Sequence, residues 1–326
     1  MADNAKKKQV ILKVVIPFYN NYRLAYWSLR KLIRSGVPKK HIIFIDDAST
    51  EKVYNLKLAR ASGAYLRNTK NAGWIRSTNS AITREIKYFI PLGNGDLLLP
   101  GAYNKILRKV KANPDCGIFA WPILEIDQSS GKKMTTLNIF NNDPYDRKIC
   151  PLEFSSKFYG KSVIGQACYR TSSWEKYGKF RPDLKWHADH FLFHLIGNSE
   201  QIYLFRKPLG TFLRSKESYG SKSEGPEQND LCRSAIKWLG RKSNQRNRKL
   251  LIRSGALCVF EHVLSKVMQN HHSRNMYIDI KMRRWLFLKK VRGLVRHPIP
   301  KNVKEAFRKV FRTMSTSKPH SPLNRN

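Results

Sequence analysis

The chain has 326 residues, with 62 lysines and arginines against 23 acids, a formal charge of +39. That length holds one large α/β domain and a smaller appendage, and the charge points to an anionic neighbour, either a polyanion or a lipid surface. No run of eighteen apolar residues is present, which argues against a membrane-spanning helix, and five scattered cysteines without a C-x-x-C pair fit a reducing cytosol and no structural zinc.

The segment Met1 to Lys8 lacks the apolar core of a signal peptide. Val14-Val15-Ile16-Pro17-Phe18-Tyr19-Asn20 is then an apolar run that stops at a loop, and Leu24, Trp27, Ser28, Leu29, Leu32 and Ile33 follow at helical spacing. Ile42-Ile43-Phe44-Ile45 is a second apolar run, and it ends in Asp46-Asp47-Ala48-Ser49-Thr50-Glu51. Strand, helix and strand over residues 10–47 form the βαβ unit of a parallel sheet. Open α/β sheets bind ligands where buried strands end, and a carboxylate there accepts hydrogen bonds from a nucleobase edge or a ribose. Ser49 and Thr50 also suit the cap of a helix that starts near Glu51, so Asp46 and Asp47 have a capping reading as well.

Farther on come Asn71-Ala72-Gly73-Trp74-Ile75-Arg76-Ser77-Thr78-Asn79, an apolar stretch through Ile90 and Leu92, and Gly93-Asn94-Gly95-Asp96-Leu97-Leu98-Leu99-Pro100-Gly101-Ala102. Gly117 to Trp121 reads as a strand, Asp127 to Lys133 as a turn, Val163 to Arg170 as a strand, and Ser172 to Tyr177 as a short helix. Trp186 to Ile196 carries one acid, Asp189, at the opening of a helix, with His187, His190 and His194 around it. His190 and His194 can share a helix face, but Phe191 stands where a zinc-hydrolase helix has Glu, so core or acceptor-lining histidines are expected. Trp174, Trp186, Phe191 and Phe193 are a sugar-stacking platform or core.

In order, VVIPFYN, IIFIDDAST, NAGWIRSTN, PLGNGDLLLPGA and KWHADHFLFHLIG resemble the family 2 glycosyltransferases of GT-A fold, over about residues 10–215. The resemblance implies a Rossmann-like domain with a mixed, mainly parallel sheet, a nucleotide-sugar donor with UDP favoured, and inverting transfer to a glycan or lipid-linked acceptor, as in bacterial polysaccharide or lipopolysaccharide synthesis. It also implies that Pro17, Tyr19 and Asp47, with Asp46 adjacent, meet the nucleoside, and that Asn71, Gly73 and Asn79 match the family's Asn-x-Gly and later Asn. Arg76 either faces the diphosphate, which a guanidinium forks well, or is a solvated helix residue. Asp189 falls where the family carries its base, although Asp in a first turn is also a good helix cap.

The departure is at the metal motif. The family places a metal-binding carboxylate five residues before the Pro that is here Pro100, and that position is Gly95. Asp96, with an amide oxygen from Asn94, is a poor shell for Mg²⁺ or Mn²⁺ unless the diphosphate completes it. Three readings follow: Asp96 shifts register and binds metal with the donor, the diphosphate is neutralised by Lys and Arg, or transferase activity is lost.

Domain organisation is expected as residues 1–225 for the transferase and 226–326 for a basic helical extension, with residues 215–230 a linker or lid. Residues 231–326 hold 24 lysines and arginines against three acids. Val303, Ala306, Phe307, Val310, Phe311 and Met314 form one apolar stripe, and Phe287, Leu288, Val291, Leu294 and Val295 another, both flanked by bases. Such helices lie on anionic membranes or pack on the catalytic domain. The expected protein is a peripheral enzyme on the cytosolic face of the inner membrane. The alternative is an impaired transferase scaffold that binds an anionic partner such as nucleic acid, for which no recognition motif is present.

Overall fold

The computed structural model describes residues 10–50, 60–137, 145–161, 166–214 and 226–259. The helix expected from Glu51 and the amphipathic stripes over 287–314 lie outside them, as does the linker or lid expected over 215–230 except for residues 226–230, which are helical. The described residues all fall within one compact unit.

Two sheets organise it. The larger has the order β3-β2-β1-β4-β10-β6-β11-β9. Its parallel half is β1 (Val10–Phe18), β2 (Ile42–Asp46), β3 (Ala64–Arg67) and β4 (Ile86–Pro91). The other half contains β6 (Ile118–Ala120), β9 (Arg147–Ile149), β10 (Ala167–Arg170) and β11 (Ile202–Leu204), with β10 antiparallel to both β4 and β6. The smaller sheet orders β5 (Leu97–Leu98), β12 (Gly210–Arg214), β7 (Ile123–Asp127) and β8 (Lys133–Leu137). This is the α/β, mixed and mainly parallel arrangement expected.

The central strands form because they are apolar on both faces. All five residues of β2 are buried, as are Val14, Val15, Ile16 and Phe18 of β1, the pattern of strands covered on both sides. Helix α1 (Tyr22–Arg34) follows β1 through Asn20 and Asn21, both left-handed at φ 50° and 49°, a conformation that asparagine tolerates. It buries Tyr22, Ala25, Ser28, Leu29 and Leu32. Trp27 and Ile33, expected on that face, are each 40 % exposed at its margin, and the Lys31 ammonium sits 5.7 Å from the Trp27 ring centre.

The remaining described helices are α2 (Trp74–Ala81), α3 (Ala102–Ala112), α4 (Pro151–Lys157), α5 (Thr171–Lys176), α6 (Ala188–Gly197), α7 (Pro226–Gly240) and α8 (Gln245–Arg253). Helix α6 is buried along almost its whole length. Trp174, Phe191 and Phe193 are core residues, which leaves only Trp186 of the four expected platform aromatics partly exposed. The start of the expected extension packs on this body: Leu231, Ala235, Trp238, Leu239, Leu251 and Ile252 are buried, and Trp238 meets Phe191 at 6.2 Å between ring centres.

At the far end of α6, a Cβ on Gly197 would lie 2.4 Å from Cε2 of the fully buried Phe154, which stacks on Phe158 at 4.7 Å. Gly197→Ala should therefore overpack this contact and cost about 1–3 kcal/mol in urea denaturation. An unchanged midpoint would show that α6 does not approach α4 so closely.

Candidate active site

Parallel pairing sets the ends of β1, β2, β3 and β4 side by side. Phe18 is opposite Asp46, Asp46 is opposite Arg67, and Val15 is opposite Pro91. The loops that leave these ends carry most of the residues singled out from the sequence, and short polar bonds tie them together. Asn20 Oδ1 accepts from the Thr50 amide at 3.0 Å and its hydroxyl at 3.1 Å, while the Asn20 amide donates to Ser49 Oγ at 2.8 Å.

The two adjacent acids differ in environment. Asp46 is fully buried: one oxygen accepts from the Ser49 amide at 2.7 Å, the other from Tyr65 Oη at 2.7 Å and Arg67 Nη1 at 2.8 Å. Arg67 Nη2 also donates to the Ser49 carbonyl at 2.8 Å. Burial, together with its bond to Asp46, pushes the Tyr65 phenol well above its ordinary range. This arrangement corrects the expectation that Asp46 faces the donor, because no part of its carboxylate reaches solvent.

Asp47 Oδ1 accepts from Asn68 Nδ2 at 2.7 Å and the Ala72 amide at 2.9 Å, and its Oδ2 accepts from the Gly73 amide at 2.7 Å. Gly73, at φ 81°, is the residue before α2, so Asp47 holds the two residues that lead into this helix. One lone-pair direction on Oδ2 stays open, since a carboxylate accepts about four hydrogen bonds in all. Between the acids and Ser49, Ala48 holds φ 63°, a left-handed strain of about 1–2 kcal/mol for a residue with a Cβ. Ala48, Ser49, Thr50, Arg67, Asn68 and Thr69 line a cavity of about 480 Å³. Arg67 and Asn68 were not singled out from the sequence; their signal is their place at the end of a strand, just before Asn71.

Pro17 is buried, Tyr19 is 47 % exposed, and Asn71 is exposed with its Oδ1 accepting from the Gly73 amide at 3.2 Å. Arg76 is exposed on α2. Asn79 turns inward and donates to the Phe180 carbonyl at 2.7 Å, joining α2 to the segment before α6.

At the metal motif, Asp96 is buried, and its oxygens accept from the Leu213 amide at 3.0 Å and the Gly93 amide at 3.2 Å. Burial outweighs these bonds and pushes its carboxyl up to about 7. Gly95 donates to Ser28 Oγ at 3.1 Å and holds φ 103°, and a Cβ there would stand 2.8 Å from Leu213 Cδ2. Asn94 Nδ2 points at the Asn21 carbonyl at 3.5 Å. Among the described residues no group of three or more His, Cys, Asp or Glu is placed to hold a metal ion. The donor set therefore does not fit a protein-held divalent cation, and the register shift that would expose Asp96 is not adopted.

Asp189 opens α6. Every other residue of that ten-residue helix is buried, while Asp189 keeps partial exposure. Its Oδ1 accepts from the His190 amide at 2.8 Å, and burial pushes its carboxyl up to about 7 despite the helix N-terminus. Beside it, burial keeps His190 and His194 neutral, the first with its pKa lowered to about 4; their Nε2 atoms meet the carbonyls of Ala256 at 3.1 Å and Lys161 at 3.2 Å. These are core histidines.

The sequence of residues 13–164 matches the model of the family described as Glycosyl transferase family 2. The fold is similar to S. aureus TarS 1-349 in complex with UDP-GlcNAc, at TM-score 0.53 and 13% identity over 75% of this chain and 71% of that one. It is similar too to the mannosyltransferase PcManGT from Pyrobaculum calidifontis in complex with GDP-Man and Mn²⁺, at TM-score 0.50 and 14% identity over 96% of this chain and 82% of that one. A comparison with curated proteins gave no match. The ordered motifs, the sheet topology and these likenesses agree: the chain has the GT-A-like α/β fold, and residues 13–164 resemble the family 2 glycosyltransferases.

Proposed function

We propose that the protein transfers a sugar from a UDP-sugar to the hydroxyl of a glycan or lipid-linked acceptor, with inversion, at an anionic membrane surface. The observation that carries this reading is Asp189: a carboxyl poised near neutrality, on the one residue of a buried helix that keeps access to solvent. In this mechanism Asp189 takes the acceptor hydroxyl proton while the oxygen bonds to the anomeric carbon and the bond from that carbon to the nucleotide breaks on the opposite face. The cavity lined by Ala48, Ser49, Thr50, Arg67, Asn68 and Thr69, next in the chain to Asp47, and the exposed ring of Tyr19 support a nucleoside site. The structures of TarS with UDP-GlcNAc and of PcManGT with GDP-Man and Mn²⁺ support a nucleotide-sugar as donor.

The membrane reading rests on α7 and α8. Between Leu231 and Val259 the chain has eight bases and no acid. Lys237 of α7, Arg246, Lys249 and Arg253 of α8, and Arg241 and Lys242 between the two helices are exposed. Their apolar stripes face the protein, so attraction to lipid here is electrostatic. No described helix is long and apolar enough to cross a membrane.

Asp189→Asn should slow transfer by about 10²- to 10⁴-fold and leave UDP affinity unchanged. A base must be ionised, so wild-type kcat/KM should fall as pH drops through about 7. The raised pKa also means that the ionised form opposes folding, so Asp189→Asn should melt above the wild type at pH 8, with the difference closing in acid. Near-normal transfer in Asp189→Asn would remove this residue from the chemistry.

Replacing Arg246, Lys249 and Arg253 together by Gln should weaken binding to phosphatidylglycerol vesicles by about 1 kcal/mol per charge, and by less as salt rises. Vesicle binding insensitive to both salt and these changes would rule out this surface.

A further inference from the structure

We infer that this enzyme binds the donor's diphosphate without a divalent cation anchored on its own carboxylates, and that Arg76 supplies positive charge in its place. The inference rests on the donor-site reading above.

Geometry, more than composition, closes the usual anchor. At position 95 a side chain would need φ 103° and would meet Leu213 Cδ2 at 2.8 Å and Leu24 Cδ2 at 3.3 Å. Both contacts are apolar side-chain ends of other elements, so an acid there would be strained in its backbone and its first carbon would displace leucine methyls. At position 93 a Cβ would fall 2.9 Å from Asp96 Oδ2. Asp96 itself turns away from the loop surface to hold the Leu213 and Gly93 amides and the Gln166 side chain, so turning it outward would leave buried donors without partners. What remains is Asn94 Oδ1, which is buried and has no partner among the described residues. A single neutral oxygen is a weak hold for a hard cation.

Charge must then come from the protein. Arg76 lies one helical turn from Gly73, and both are exposed, while Ile75, Ser77 and Thr78 are buried. The Gly73 amide is bonded to Asp47, so Arg76 rises from the helix face that begins at the nucleoside site. It makes no hydrogen bond or ion pair with the described residues, whereas both arms of Arg67 are occupied by Asp46 and Ser49. A partner-free guanidinium suits bidentate contact with phosphate oxygens.

Calorimetry on the full-length protein tests this with UDP and uridine as probes, in EDTA and again in Mn²⁺. The dissociation constant for UDP should agree within about threefold between the two conditions. Arg76→Gln should weaken UDP about tenfold or more in both and leave uridine unchanged. Gly95→Asp should melt at lower temperature and gain no Mn²⁺ dependence. Tightening of UDP by Mn²⁺ of about tenfold or more would overturn the inference while leaving the donor site standing. So would an Arg76→Gln variant that binds UDP normally, or a well-folded Gly95→Asp that becomes Mn²⁺-dependent. If UDP binds in neither condition, the donor-site reading fails and takes this inference with it.

Discussion

Three carboxylates hold the site together by accepting hydrogen bonds across loops that are far apart in sequence. Asp46 fastens β2 to β3, Asp47 fastens β2 to the start of α2, and Asp96 fastens the β4–β5 loop to β12. Each sits where a strand has ended and the sheet no longer supplies partners, so that loop amides would otherwise be buried unpaired. A carboxylate answers several donors at once, and bonds to a charged or partly charged acceptor are stronger than those between neutral groups. The result is a rim of loops held in place before any ligand arrives. Asp46 and Asp47 each accept three such bonds, and both are buried by the partners they hold.

The opposite side of the site is organised by burial. Helix α6 is enclosed by Phe154 and Phe158, by Trp238 of α7, and by the Ala256 carbonyl on His190. Tyr169, stacked on Phe89 at 5.8 Å, lies close enough to Asp189 for that carboxyl to raise its phenol further. The low-dielectric surroundings that would make an ordinary surface acid costly are what bring Asp189 near neutrality. One helix thus combines nine buried residues with one acid, Asp189, that keeps partial exposure.

Much of the parallel half was legible because its signal is local. The apolar runs at Val14–Phe18 and Ile42–Ile45 are β1 and β2, and the spacing from Leu24 gave α1 apart from the exposed Trp27 and Ile33. Asp189 at the opening of a helix was equally readable. What the sequence hid was tertiary. Asp46 and Asp47 are neighbours with the same side chain, and only the position of Tyr65, Arg67, Asn68 and Gly73 across the sheet decides which is enclosed. Asp96 looked like a surviving metal ligand until Leu213, more than a hundred residues later, supplied the amide that holds it inward. Residues 226–259 were read only as the start of a basic extension, and nothing local told that Trp238 and Leu251 would be buried against the rest of the protein.

The bond from His190 to the Ala256 carbonyl reaches past the edge of the nucleotide-binding half. His190 is the immediate neighbour of Asp189, and its ring is held by a segment that follows α8. In families that diversify by exchanging carboxyl-terminal pieces, such a join restricts recombination: a foreign tail fused after β12 would bring its own carbonyls, and none would be obliged to meet His190. The opening of α6 is therefore tied to the residues through Ala256, and a chain that ended before them would leave the buried His190 ring without this carbonyl.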